Sequence, residues 1–339
     1  MKQTDPDRRP HCVIRAIMAA STPLRTSGEQ RVRITPPGER RLRNVVVAFV
    51  VVFNLVLLVI PVGMAFVGSF HRWNPLNGTF EFLGLKNYID LFTSPTFVTT
   101  AVNTVVFGVV AIIARVVIGL ALAVAIYSKL IKYKSLFRTI FYMPTVTPMV
   151  AVAYVWKIMY NPQVGALNTF MGLDINWLFD TRFAMPAILM LTIWKDFGYA
   201  VILFLAGLYS LPEDALEAAE VDGATGMQRF RWIVLPLLKP MTIFVVITSL
   251  ISYLQTFIQV MVLTKGGPGH STYIISYLLY DEAFVKYNFG FASAIAFVLL
   301  IFTALLTMIS FKLGNMGETS VFAGRSPKRA VAKTRGEGA

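Results

Sequence analysis

The sequence predicts an all-α integral membrane protein with six transmembrane helices and a helix pair on one connecting loop. Composition is the first reason. Of the 339 residues, 56% are hydrophobic and the mean hydropathy is +0.63, too apolar for a soluble chain to cover with polar surface. The second reason is the length of the apolar runs. A bilayer core takes about 20 mainly apolar residues per helix, and six stretches qualify, within 45–66, 102–126, 140–158, 184–208, 241–263 and 291–311. The third is their continuity, since a closed barrel would show short alternating segments instead.

Residues 1–43 precede the first run and are rich in Arg, Pro, Ser and Thr with almost no apolar periodicity, so they read as a basic disordered tail. The run that follows is too long for a cleaved signal peptide and lacks a small-residue cleavage site. Met18 offers an alternative start. The transmembrane domain then covers 44–312. Asn54 in the first span and Asn103 in the second read as interhelical hydrogen-bonding groups. Lys129, Lys132, Lys134 and Arg138 crowd the connection to the third span, where Pro144 and Pro148 free backbone carbonyls and predict a kink, either beside a cavity or simply packed. Residues 313–339 form a second polar tail.

The net charge of +13 sits mainly in these tails, with ten Lys and Arg against four Asp and Glu in 1–43 and six against two in 312–339. By the positive-inside rule both termini, the basic second connection and the 209–239 loop are cytoplasmic. Attraction to anionic membrane lipid accounts for the tails, and no nucleic-acid partner is expected. The only cysteine, Cys12, lies in the inner tail, so no disulfide framework is available.

The 209–239 loop is the most informative stretch. It holds Glu217, Ala218, Ala219, Glu220, Val221, Asp222, Gly223 and Ala224, then Phe230, Ile233, Leu235, Pro236 and Pro240. Ser210 followed by Glu213 reads as a capping box, with Pro212 in the first turn and Gly223 as a left-handed stop. Thr225 caps a second helix that ends near Pro236. Small side chains at Ala218 and Ala219 leave room for close approach by a partner.

In residue type and spacing this helix pair resembles the coupling loop of binding-protein-dependent ABC importer permeases. Other residues carry the resemblance over 45–311. These are Phe82 to Tyr88, Arg138 with Pro144, Trp156 with Pro162 and Gly165, Trp194 with Lys195, Ala206 to Leu208, and Leu263 to Pro268 with Thr272. Together they are similar to the carbohydrate-importer branch, of the maltose and glycerol-3-phosphate permease type, although the long external insert of the maltose subunit is absent. The resemblance implies the six-helix type I importer permease fold in a bacterial or archaeal cytoplasmic membrane. It also implies a second permease subunit, two ATPase subunits that bind ATP and Mg, and an extracellular sugar-binding protein. Glu217, Ala218, Ala219, Asp222, Gly223, Ala224, Phe230, Leu235 and Pro236 would then seat in the ATPase, whose closure on ATP rocks the permease pair from inward-facing to outward-facing.

The chain itself shows no constellation for catalysis. His11, His71 and His270 are scattered, no cluster has metal-ligand spacing, and no Walker A pattern occurs. No cofactor is therefore expected in this chain, and energy must come from another. Ionisable groups inside spans cost about 3 kcal/mol each and mark a cavity or a partner. Arg115 in the second span and Lys195 with Asp196 in the fourth lie at similar depth. That allows an Arg115–Asp196 pair, a snorkelling side chain or a substrate contact. In the fifth span Tyr253, Thr256 and Val260 are expected on one helical face and Gln255 and Gln259 on another. Amides, hydroxyls and rings there suit a weak carbohydrate site or interhelical hydrogen bonds. Trp194, Lys195 and Tyr199 offer a second candidate route.

The sequence thus points to a permease subunit for a sugar or oligosaccharide, not an enzyme. A proton-coupled carrier is one alternative. A membrane enzyme acting on a lipid is another, but it needs an acidic metal cluster at one face, and the acidic residues gather on the 209–239 loop instead.

Overall fold

A computed structural model describes residues 37–128 and 131–315. Met18, Cys12, His11, Lys129 and most of both tails lie outside these residues. The chain divides into two units, 1–60 and 61–339. In the first, α1 (Pro37–Asn54) continues through a π-helical turn at Leu55–Val59. The helix thus starts seven residues before the boundary expected at 44. Its described side chains are all exposed, the arrangement a span adopts when lipid or another subunit covers it. Asn54 donates to the Val50 carbonyl at 2.8 Å within its own helix, so it does not bridge helices as expected.

The second unit runs from α2 (Ile60–Gly68) into a hairpin, β1 (His71–Asn74) and β2 (Thr79–Phe82), antiparallel with His71 opposite Phe82. Next come α3 (Lys86–Thr93) and the long α4 (Pro95–Tyr127), which opens on a proline whose fixed φ suits a first turn. After α5 (Lys134–Val146), α6 (Met149–Met159) and the short α7 (Ala166–Met171) comes the central helix α8 (Ala184–Tyr209). The 209–239 loop carries α9 (Glu213–Val221), α10 (Gly226–Arg229) and α11 (Leu235–Leu237). Last are α12 (Lys239–Leu254), α13 (Ile258–Leu263), α14 (Ile275–Tyr280) and α15 (Phe289–Asn315).

Small residues let the central helices touch. A Cβ on Gly119 of α4 would stand 2.6 Å from that of Ala200 on α8, and one on Gly198 would strike the Phe141 carbonyl of α5. Hydrocarbon offers no hydrophobic drive between helices, so such close backbone contact is what holds them. Phe107, Trp156, Tyr160, Trp177 and Tyr253 fill one core cluster, Ile126, Val201, Phe204 and Leu238 a second, and Leu91, Phe97, Leu254 and Ile295 a third.

Four helices are long and apolar enough to cross a membrane, and up to six spans result if α5 with α6, and the 226–237 helix with α12, each count as one bent span. Two expected spans are not continuous. The third breaks between α5 and α6, which meet at 94°. Pro148 drives its predecessor out of the helical region, and Thr147 is extended at ψ 138°. The fifth breaks at 255–257, where Phe257 has φ −147°. That break removes the predicted helical face shared by Tyr253, Thr256 and Val260.

Membrane helices cannot leave backbone groups unpaired, and three end carbonyls find donors at each break. At the first, the Met143 carbonyl accepts from Thr147 Oγ1 (3.3 Å), that of Pro144 from the Thr147 N–H (3.3 Å), and that of Thr145 from Lys195 Nζ (3.1 Å). Thr145 Oγ1 returns a bond to the Lys195 carbonyl at 2.9 Å. At the second, the Ser252 carbonyl accepts from Thr256 Oγ1 (3.2 Å), that of Tyr253 from the Thr256 N–H (3.3 Å), and that of Leu254 from Ser276 Oγ (2.8 Å). Lys157 Nζ caps the far end of α13 at the Val262 carbonyl (3.0 Å). Cations at helix C-termini also meet the negative end of the helix dipole.

Candidate functional site

The 209–239 loop begins differently from the predicted capping box. Ser210 still belongs to the end of α8 and donates to the Gly207 carbonyl at 2.8 Å, while Pro212 occupies the N-cap of α9. Glu213 and Asp214 instead meet the positive end of the α9 dipole. The stop is as expected. Gly223 has φ +73°, the Gly223 N–H reaches the Glu220 carbonyl and the Ala224 N–H reaches that of Ala219. Those two bonds define a Schellman turn. Thr225 and Gln228 then form a reciprocal capping box.

The second helix ends near Pro236, as expected, one residue beyond it at Leu237. A π-helical turn at Phe230–Val234, closed by the Leu235 N–H on the Phe230 carbonyl, widens the helix ahead of the proline ring. The helix then continues to Leu237 and bends by 62° into α12. Glu217, Ala218, Asp222, Gly223, Leu235 and Pro236 are exposed, Ala224 and Phe230 are half-buried, and Ala219 is buried. Ala219 therefore packs inward, and of the two alanines Ala218 is the one on the open face. Val221, Met227 and Trp232 are exposed as well, the last at 71%. Large apolar side chains on a polar loop were the available signal for them.

At mid-membrane Arg115 is 5% exposed and Tyr253 1%. The guanidinium lies 5.1 Å from the ring centroid of half-buried Tyr199 and 5.7 Å from that of Tyr253. Desolvated cation–π contacts of this kind are worth ~2 kcal/mol. Of the three roles left open for Arg115, the pair with Asp196 is not made at ion-pair distance, since no ion pair among the described residues includes Arg115; the two tyrosine rings flank the guanidinium instead. Arg115 Nε and Tyr253 Oη are buried without a hydrogen-bond partner. Thr256 and Gln259 are buried, whereas Trp194 is exposed and stacks near Trp156 at 5.5 Å. Lys195 is half-buried, its ammonium spent on the Thr145 carbonyl.

The first break lies against Lys195 of α8 and the second just after Tyr253, whose ring faces Arg115. Thr147 and Pro148 at one, and Ser252 and Gln255 at the other, are exposed. Asn103 bonds the His270 and Tyr273 carbonyls at 3.1 and 3.0 Å, which ties α4 to the 264–274 loop. On the 209–239 side, Arg138 Nη2 donates to Tyr209 Oη at 2.6 Å and joins α5 to the end of α8.

The model of the binding-protein-dependent transport system inner membrane component family matches residues 115–314, more than half of the chain. The probable ABC transporter permease protein YurN of Bacillus subtilis (strain 168) is 35% identical over 271 residues, covering 78% of this chain and 93% of YurN. The multiple sugar-binding transport system permease protein MsmF of Streptococcus mutans serotype c is 33% identical over 270 residues, covering 79% and 93%. A crystal structure of a bacterial ABC transporter involved in the import of the acidic polysaccharide alginate superposes with a TM-score of 0.72 at 21% identity, covering 82% of this chain and 96% of that one. This last likeness speaks for the fold, the type I importer permease. The chain belongs to the binding-protein-dependent transport system inner membrane component family and is a permease subunit of an ABC importer.

Proposed function

We propose that the chain pairs with a second permease subunit to pass a sugar or oligosaccharide delivered by an extracellular binding protein. Two ATPase subunits, which bind ATP and Mg, complete the assembly, one of them seating the 209–239 loop, and both termini lie in the cytoplasm. Basic tails support that orientation, and the name of MsmF supports a sugar as cargo. The observation that carries the passage is the pair of broken spans. Irregular backbone at membrane depth is tolerated where it is buried in protein or lines a water-filled cavity, and these two breaks are exposed. Polar groups of Thr147, Ser252 and Gln255, with the ring of Trp194, offer hydrogen bonds and a stacking face to a sugar. Arg115, Tyr199, Tyr253, Thr256 and Gln259 form the wall behind them. Movement of the loop reaches the first break through Tyr209, Arg138 and the rigid α8.

The test is uptake of labelled saccharides by the complete transporter in proteoliposomes with loaded binding protein. Gln255→Ala and Trp194→Ala lower the initial uptake rate per assembled complex several-fold, since each removes a contact worth ~1 kcal/mol. Asn54→Ala leaves the rate unchanged. Wild-type rates in both break variants would place the route elsewhere.

A further inference from the structure

The short helix α3 divides around its axis into three sectors. Asn87 and Leu91 are buried, and Asn87 Nδ2 anchors the helix by donating to the Ser69 and His71 carbonyls at 2.8 and 3.0 Å. Lys86, Asp90 and Thr93 form a second sector, exposed and polar. Leu85, Ile89 and Phe92, spaced by four and three residues on one face, form a third that is apolar yet 62, 60 and 59% exposed. A helix wholly in water or wholly in hydrocarbon has no use for exposed sectors of opposite character.

The position of α3 explains the division. It packs against α15 and α4 at the end of the bundle opposite the 209–239 loop, and in the chain it joins α2 to α4. Both neighbours carry exposed apolar side chains, Met64, Phe66 and Val67 on α2 and Val98 and Val102 on α4. The apolar sector of α3 continues that surface at the level where the spans end. The polar sector faces the other way, with Asp90 lining a cavity of about 270 Å³ that also holds His270, Glu282 and Lys286.

We infer that α3 is a membrane-surface helix that seats Leu85, Ile89 and Phe92 among lipid acyl chains while Lys86 and Asp90 stay in the headgroup water. The occupant is lipid rather than protein because the sector continues the apolar surface of the flanking spans and because its polar neighbour faces water, the split that an interfacial helix requires. Held this way, α3 fixes the depth of α4, and with it the depth of Arg115.

Cys12 is the only cysteine, so labelling is straightforward. In a Cys12→Ser background, spin labels are placed at Ile89→Cys, Phe92→Cys, Lys86→Cys and Asp90→Cys, one at a time. The complete transporter, with cysteine-free partner subunits, is reconstituted in bilayers. Collision with dissolved oxygen is compared with collision with a polar nickel chelate. The oxygen-to-chelate ratio is expected several-fold higher at 89 and 92 than at 86 and 90. Equal ratios at all four positions would show that the sector faces water. Labels at 89 and 92 shielded from both reagents would show that a protein partner covers it. Either result overturns the inference.

Discussion

Replacing Gly223 by valine tests whether the turn of the 209–239 loop transmits force. At φ +73° a β-branched residue is strained whatever its surroundings. A Cβ built there meets no atom within 4 Å, so the whole cost is backbone conformation, about 1–2 kcal/mol. That energy lowers the population of the Schellman turn by roughly 5- to 30-fold, which misdirects α10 and the exposed Met227 and Trp232. The six spans do not contain this residue and should insert normally. The assay measures membrane level, co-purification of the ATPase, and uptake together with ATP hydrolysis stimulated by loaded binding protein. Normal membrane level with reduced ATPase association or uptake is expected. Gly223→Asn, which tolerates the left-handed region, should restore most of the loss. Wild-type association and uptake for Gly223→Val at normal membrane level would refute the reasoning.

Three further outcomes follow from the packing. Tyr253→Phe, which keeps the ring beside Arg115, should leave folded yield close to wild type, whereas Tyr253→Leu should lower yield by removing one ring from Arg115; equal losses would show that the hydroxyl matters. Lys195→Met should cost about 1.5–3 kcal/mol by uncapping α5 at Thr145, read as a lower melting temperature of the purified complex, and an unchanged melting temperature would remove this lysine from the break. Gly198→Ala should sharply reduce assembled protein, since its Cβ would strike the Phe141 carbonyl, while Gly63→Ala, with nothing within 4 Å, should not; equal assembly of the two would contradict the tight α5–α8 contact.

The signals that succeeded in the sequence were local ones. Apolar runs longer than a bilayer core marked the spans, and Asp222-Gly223 marked a left-handed stop because few residues but glycine sit easily at positive φ. Thr225 marked a helix start for a similar reason, a hydroxyl placed three residues before an amide. Ser210 carried the same signal and misled, since the Gly207 carbonyl of the preceding helix had already taken its hydroxyl. The third-span break was half legible, because Pro148 announces a disturbance but not a 94° turn. The fifth-span break was not legible at all. No proline or glycine stands at 255–257, and the stop depends on Ser276, more than twenty residues on, to satisfy the Leu254 carbonyl. The partners of Arg115 were missed for a related reason. Charge complementarity suggests Asp196, but the rings of Tyr199 and Tyr253 come from two other helices and meet only in the fold.

Both breaks follow one physical rule. Each ends a helix, and each pairs end carbonyls with a hydroxyl from the break itself and a donor from a different element. Lys195 does this for α5, Ser276 for α12, and Lys157 for the far end of α13. A break satisfied only from within could bend freely. One satisfied from outside is tied to its neighbour, so that moving α8 must move the end of α5. Lys195, which insertion energetics mark as costly inside a span, is thereby used as a helix cap, which explains its presence without any contact to cargo. What is left exposed at the two breaks is the part of the chain free to meet a passing solute.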